Sequence, residues 1–521
     1  MLTIGIYGDS DPLKEHRSHD HGVAVFRKGN LLFCCELERF TGIKHDGRLN
    51  HYLKSLLEPW LSSGESIQWV LVNSFMGNQF ISHDGTLIID VNVTLPVEDV
   101  FYKVDDNHSI MTHEMAHIGT CLPFYGNFKP NSLLIHIDGG ASNSCASAWY
   151  FDGSSIKHLD HAWHPKLKAS VNNFNANSLT AKILNVELTE HLSMPGKLMG
   201  LASYGKYSSD LHRSLNEHHW FSEDASSVDL SGSKGADIAS CMQRELEEQV
   251  LEYIGKYQEA TGAKSLYYSG GAALNIHANV RIENELGFDV VNIPPAPSDC
   301  GLALGAAAYM EWMKGNDIKL CSAFINSHSK ENSLTESSDV VLLDDFNQVA
   351  KTIDAGEVVA VFSGDSEIGP RALGHRSLLA RPDSISIRKK LSEDMKKREW
   401  YRPVAPMILS SIAQSALINY NPNSNLSRYM LGAWGVKKEW LESFQGSIHA
   451  DNTLRAQVID EDSGINHIYQ LLLILNKKYQ ISGLINTSFN SRGVPIVHTY
   501  DQALVQAREL GIKYLWCPKP I

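Results

Sequence analysis

Twice in this chain a short apolar run ends at glycine and leads into two further β-rich runs. "LTIGIYG" reads as a buried strand, and "GVAVFRKGNLLFCCELERF" supplies two more around a Lys-Gly-Asn turn. "SLLIHIDGGASNSCASAWYFDGSSIKHL" repeats the design: strand, Gly-rich turn, strand, Asp-Gly turn, strand. Helical patterns follow. "ADIASCMQRELEEQVLEYIGKYQEATG" is a long amphipathic helix closed by glycine. It leads into "KSLYYSGGAALN", a strand entering a Gly-Gly turn, and then "DCGLALGAAAYMEWMKG", a helix whose small residues suit close packing. The polar stretch "FINSHSKENSLTESSD", residues 324–339, reads as a linker. The expectation is an α/β protein: a larger domain over residues 1–325 and a smaller α/β domain over 340–521.

Composition narrows the function classes. A net charge of −13 argues against a broad basic footprint for nucleic acid or an anionic membrane. No apolar run has the length of a membrane span, and no secretory leader is visible at the N-terminus. The 8 cysteines include no CxxC pair, which fits free thiols in a reducing compartment. The expected location is the cytoplasm.

The stretch "THEMAHIGTCL" contains H-E-x-x-H, a zinc-protease signature. Two histidines at i and i+4 on a helix, here His113 and His117, face the same way and suit one metal ion. The protease continuation is missing, because Thr120 and Pro123 stand where it needs Gly and His. The next carboxylate, Asp138, ends a strand at Gly139-Gly140 rather than sitting on a helix. The reading is therefore a metal site without peptidase activity, with Glu114 facing elsewhere and the histidine tautomers fixed by outer hydrogen-bond partners.

"ERFTGIKHDG", "THEMAHIG", "HIDGGA", "GKLMGLASYG", "SGGAALN", "PPAPSDCGLALGAA", "GPRALGHRSLL", "KKREWYRPVAPMI" and "NTSFNSRGVPIV" occur in that order. Together they resemble the ATP-dependent O-carbamoyltransferases of the nodulation-factor, cephem and tobramycin type, over nearly the whole chain. The resemblance implies an actin-like (Hsp70/sugar-kinase-like) N-terminal domain and a C-terminal domain similar to threonylcarbamoyl-adenylate synthase. It implies a metal held by His113, His117, Asp138 and Asp299. The family metal is Fe2+, while the ligand types alone also admit Mn2+ or Zn2+. Three positions depart from the family pattern: Gly196 before Lys197, Val494 in "SRGVPI", and His21-Gly22 after "SHD".

The implied chemistry has two steps. Carbamoyl phosphate loses phosphate, and the carbamate oxygen attacks the α-phosphorus of Mg2+-bound ATP, giving carbamoyl-adenylate and pyrophosphate. A hydroxyl of a small-molecule acceptor, such as a natural product in biosynthesis, then takes the carbamoyl group and AMP leaves. Such chemistry needs cations that position phosphates. By resemblance, Arg371, Lys396, Arg402 and Arg455 hold carbamoyl phosphate, with Arg492 as a further candidate and Arg371 also catalytic. Arg376 falls in the same motifs, and Lys397 and Arg398 read as solvated charges. Gly139, Gly140, Gly270 and Gly271 allow close backbone approach to the nucleotide, with Lys197 and Asn275 beside them. His19 is the candidate for activating the acceptor hydroxyl or polarising the carbonyl. Lys44 and His45 match a family motif without an assigned role. "AWHPKLKASVNNFNANS" is a candidate acceptor-lining stretch, and the oligomeric state stays open, a homodimer included.

Three other readings compete: threonylcarbamoyl transfer to tRNA, a small-molecule kinase on the same fold, and a non-catalytic nucleotide switch. The acidic charge opposes the first. The C-terminal cations oppose the last. A kinase would leave ADP, whereas carbamoylation leaves AMP.

Overall fold

The computed structural model describes residues 1–8, 18–73, 79–90, 100–175, 178–217, 234–326 and 339–518. The first sheet is built from β1 (Leu2–Tyr7), β2 (Gly22–Arg27), β3 (Asn30–Glu36) and β4 (Ile67–Val72). A small hairpin, β5 (Gln79–Ile81) and β6 (Ile88–Asp90), stands apart, and β7 (Phe101–Lys103) and β8 (His108–Met111) complete the sheet in the order β3-β2-β1-β4-β8-β7. The second sheet holds β9 (Ser132–Ile137), β10 (Ala146–Phe151), β11 (Ile156–Ala162), β12 (Ser265–Ser269) and β13 (Val290–Asn292), in the order β11-β10-β9-β12-β13.

The repeated sequence design is thus a repeated topology. In each unit the first strand pairs antiparallel with the second and parallel with the fourth. The second and third form an antiparallel pair. This duplicated α/β arrangement is the actin-like fold. The first strand of each unit is buried along its whole length, as a central strand covered on both faces requires.

The helices His113–Gly119 and Leu302–Met313 pack between the two sheets. Their approach is set by glycine. A Cβ on Gly305 would lie 1.9 Å from the Ala116 carbonyl oxygen, and one on Gly119 would lie 2.3 Å from that of Gly305. The small residues expected to allow close packing do so here, and the contact brings Asp299, just ahead of the second helix, over His113 and His117.

The third sheet comprises β14 (Val341–Leu343), β15 (Val359–Phe362), β16 (Arg376–Ala380), β17 (Ala405–Leu409), β20 (Gln457–Ile459), β21 (Leu484–Ser488) and β22 (Tyr514–Trp516), with β18 (Trp434–Gly435) and β19 (Thr453–Leu454) as a separate ribbon. Its order is β14-β22-β15-β16-β21-β17-β20, with mixed strand directions. All strands of the first two sheets precede residue 326, and all of the third follow residue 339. Most of the expected linker, residues 327–338, lies outside the described residues. Its start is packed: Phe324 stacks on His375 with ring centres 3.6 Å apart, and Asn326 bridges to Cys34 and Ser366. Among the described residues no helix is long and apolar enough to cross a membrane, and the cysteines are free.

Candidate active site

The Thr112 side chain caps the His113–Gly119 helix by accepting from Met115 N, and His113 and His117 project one turn apart from it. Their Nε2 atoms lie 3.1 Å from each other and 3.4 Å each from Asp299 Oδ1. Asp138 Oδ2 is 3.7 Å from His117 Nε2. His113, His117 and Asp299 are spaced to fit one ion, because bonds of about 2.0–2.2 Å hold neighbouring ligand atoms roughly 3.0–3.6 Å apart. The structure brings three of the four expected ligands into one triad and sets Asp138 beside it, next to His117.

Their anchoring differs from expectation. Among the described residues, the Nδ1 atoms of His113 and His117 have no hydrogen-bond partner. The carboxylates are the groups held in place: Tyr7 Oη donates to Asp299 Oδ2 at 2.8 Å, and Asp138 accepts from the amides of Gly139 and Gly271. Burial pushes the Asp299 carboxyl up, but the facing His113 and His117 rings outweigh it and hold it well below the usual carboxylate range. Burial acts against a charged His113 as well, and Asp299 outweighs it to raise that pKa. Glu114 turns away, as expected. Its Oε1 accepts from Asn143 N and Ser144 Oγ, each at 3.0 Å, so it is a buried structural acceptor rather than a base for the ion site.

Asp138 and Asp299 open onto a cavity of about 770 Å³ that reaches into the C-terminal unit. Gly139, Gly140, Gly271, Lys197, Asn275 and His19 line it, as do Arg371, Lys396, Arg402, Arg455 and Arg492. Gly270 does not. It has φ +106°, and a Cβ there would lie 2.1 Å from the Ile137 carbonyl, so its glycine is required by packing against β9. Asn275 Oδ1 caps the Ile276–Glu285 helix through Ala278 N and also bonds Gln243, which occupies most of its hydrogen-bonding capacity. Lys197 is buried between Glu190 (2.7 Å) and Glu399 (3.1 Å), and Arg492 is half exposed and leans on the same two carboxylates. Of the stretch expected to line the acceptor site, Val171 faces the cavity, Trp163 packs near Gly140, and the side chains of residues 173–177 lie outside the described residues.

The cationic end contains one residue that the sequence reading placed elsewhere. Lys397 is exposed, but Arg398 turns into the cavity and donates to Ser488 Oγ at 3.3 Å. Lys397 has φ +50°, and this left-handed residue sends Lys396 and Arg398 inward while it points out. Arg376, by contrast, is spent on structure: it donates to the Ser363, Gly364 and His498 carbonyls and stacks on Phe362. Among the described residues no carboxylate lies within ion-pair distance of Arg371, Arg398 or Arg455. Burial, with Arg402 beside them, pushes the Arg371 and Arg398 guanidiniums down to about 10 and about 9. Burial also lowers Lys396 and Arg455 well below their ordinary values. Crowded, desolvated cations without counter-ions are poised to take a polyanion.

Between the two ends, Asp20 accepts from His19 Nδ1 (3.0 Å) and His45 Nδ1 (2.7 Å). Asp20 and His45 both have left-handed backbone, φ 58° and 57°. Burial opposes a charged His19, but the Asp20 hydrogen bond and the carboxylates of Asp299 and Asp138 raise it to about 9. Lys44 also lines the cavity, its pKa lowered by burial.

Together these features describe an α/β protein with a metal-type cluster and a cationic cluster on one cavity. Residues 109–308 match the profile described as "Carbamoyltransferase N-terminus", and residues 350–520 match "Carbamoyltransferase C-terminus". The chain belongs to the carbamoyltransferase family. It is 30% identical to nodulation protein U of Rhizobium fredii, over 96% of this chain and 92% of that protein. It is 25% identical to nodulation protein NolNO of Sinorhizobium fredii, over 97% and 80% respectively. Among solved structures it overlaps phosphate- and nucleotide-bound full-length HypF with a TM-score of 0.35 at 12% identity, covering 61% of this chain and 56% of that one.

Proposed function

We propose that this carbamoyltransferase makes carbamoyl-adenylate at the cationic end of the cavity and transfers its carbamoyl group to a small-molecule hydroxyl beside the His113/His117/Asp138/Asp299 cluster. The observation behind this reading is the single cavity joining five cations, the buried Lys396 and the partly buried Arg371, Arg398, Arg402 and Arg455, to that cluster. The domains are residues 1–325 and 340–521, in a soluble cytoplasmic enzyme acting on small molecules, with Mg2+-bound ATP as co-substrate.

Arg371 and Arg402 grip phosphate oxygens with planar forks, and Lys396 adds a point charge. Carbamoyl phosphate and water give carbamate and phosphate. The carbamate oxygen then forms a bond to the α-phosphorus of ATP as the bond to pyrophosphate breaks. The five cations hold these oxygens in line while charge shifts onto the leaving groups. Arg398 belongs to this set.

In the second step the acceptor oxygen attacks the carbamoyl carbon, AMP leaves, and the hydroxyl proton is released. His19, charged at neutral pH, donates to the carbonyl oxygen, and Asp20 holds its ring. His113, His117, Asp138 and Asp299 would hold a divalent ion, Fe2+ by family resemblance, which when bound neutralises phosphate charge. Asp138 stays oriented by Gly139 and Gly271, and Tyr7 fixes Asp299.

The test is incubation of the protein with ATP, carbamoyl phosphate and a panel of hydroxylated metabolites. AMP formation with a product heavier by one carbamoyl group in place of hydrogen is expected. AMP-free turnover, or a phosphorylated product, would overturn the reading.

A further inference from the structure

His136 sits in the middle of β9, fully buried, and among the described residues neither ring nitrogen has a hydrogen-bond partner. A buried imidazole left in that state is unusual and calls for a ligand. Strand alternation decides which way it faces. Leu133, Ile135 and Ile137 pack into one core, while Leu134 packs with Met115 and Ala116 of the H-E-x-x-H helix. His136 and Asp138 share the face of Leu134, so both point toward that helix.

Ring positions agree with this direction. The His113 and His117 ring centres are 4.8 Å apart, those of His117 and His136 are 5.2 Å apart, and those of His113 and His136 are 6.5 Å apart. An ion bonded to a ring nitrogen at about 2.1 Å lies roughly 3.2 Å from the ring centre. Two such rings are then about 4.6 Å apart at right angles and about 6.4 Å apart when opposed. The observed spacings are of that size, and the donor atoms form two triads that share His117: His113/His117/Asp299 and His117/His136/Asp138. One ligand atom each from His117, His136 and Asp138 also falls within 4.8 Å of the others.

We propose that His136 is a fifth protein ligand, joining the centre on the side of His117 and Asp138. This inference rests on the metal centre of the proposed function. It changes the class of ion: three imidazoles and two carboxylates suit six-coordinate Fe2+ or Mn2+, whereas Zn2+ in protein sites prefers four ligands. Asp138 and Asp299 line the cavity, whereas His136 is fully buried and does not, so an ion held there would be reached from the cavity on the carboxylate side.

The test uses full-length protein, stripped of metal and reconstituted anaerobically with Fe2+, Mn2+ or Zn2+ in turn. X-ray absorption counts the imidazoles on the bound Fe2+, and chelator competition gives each affinity. Wild type should show three imidazoles and His136→Leu two. Fe2+ and Mn2+ affinity should fall by at least tenfold to roughly a hundredfold in His136→Leu, and Zn2+ affinity by less. Metal-free His136→Leu should melt no lower than wild type, since an unpartnered polar ring is replaced by an apolar side chain. Two imidazoles in wild type, with unchanged affinity in a folded His136→Leu, would remove His136 from the centre and leave the four-ligand site standing. Failure of wild type to bind any of the three ions would remove both. If His136→Leu does not fold, the wild-type imidazole count decides alone.

Discussion

Arg39 Nη2 donates to the carbonyl oxygen of Gly369 at 2.7 Å, joining residues that are 330 positions apart. Glu36 completes the clamp: its Oε1 accepts from Gly369 N at 2.7 Å, and its Oε2 accepts from Arg39 Nε at 2.9 Å. A buried ion pair of the N-terminal unit thus holds both backbone groups of a residue two positions ahead of Arg371. Arg39→Met leaves Glu36 buried without its partner and should destabilise the protein by about 3–5 kcal/mol. Glu36→Gln combined with Arg39→Met should recover much of the melting temperature, because no lone buried charge remains. Pyrophosphate release should stay depressed in both, since neither restores the Arg39 bond to the Gly369 carbonyl. Thermal melts and a pyrophosphate assay check this.

Gly305→Ala should disturb the ion site. Its Cβ would meet the Ala116 carbonyl at 1.9 Å, so the two helices must separate and carry Asp299 away from His113 and His117. Overpacking of this kind destabilises by about 1–3 kcal/mol. Metal content after anaerobic loading should fall by more than the loss of folded protein explains.

The two half-reactions should separate by mutation. Arg371→Ala removes a charge-assisted anchor worth about 1.5–3 kcal/mol, so adenylation should fall tenfold to a hundredfold. His117→Ala leaves the cations in place, so pyrophosphate should still be released from ATP with carbamoyl phosphate, while transfer fails. Carbamoyl-adenylate supplied from outside should rescue Arg371→Ala but not His117→Ala. Equal loss of pyrophosphate release in both folded variants would contradict the division.

The charge on His19 gives a pH signature. Its pKa is raised to about 9, so the donor form is present below that value and is lost as pH rises through it. An ion bound by Asp138 and Asp299 offsets two of the carboxylates responsible and moves the loss to lower pH. Transfer should therefore decline on an alkaline limb at or below about 9. Asp20→Asn removes the main group raising the pKa, so the limb should shift further toward neutrality. A rate profile for transfer from supplied carbamoyl-adenylate checks both.

The parts of this structure legible in the sequence were those set by local periodicity. The two β-runs with their turns specified the duplicated sheets, and the i, i+4 spacing of His113 and His117 with Asp138 at a strand end specified the metal-type cluster. Arg398 was not legible, because "KKRE" looks like a solvated charge run and nothing in it announces that Lys397 takes left-handed backbone. The Arg39–Gly369 clamp depends on a contact between distant segments, which no local pattern encodes. The Gly-Gly turn pattern predicts nucleotide contacts at Asn275 and Gly270. Their geometry shows the competing demand that such turns also meet, a helix cap in one case and close strand packing in the other.

The most direct test of the central claim is the fate of ATP's phosphates when wild-type protein is given ATP and carbamoyl phosphate without an acceptor. Pyrophosphate should appear only when both substrates are present, with the nucleotide recovered as carbamoyl-adenylate and no ADP. ADP formed by loss of the γ-phosphate, or pyrophosphate release independent of carbamoyl phosphate, would contradict it.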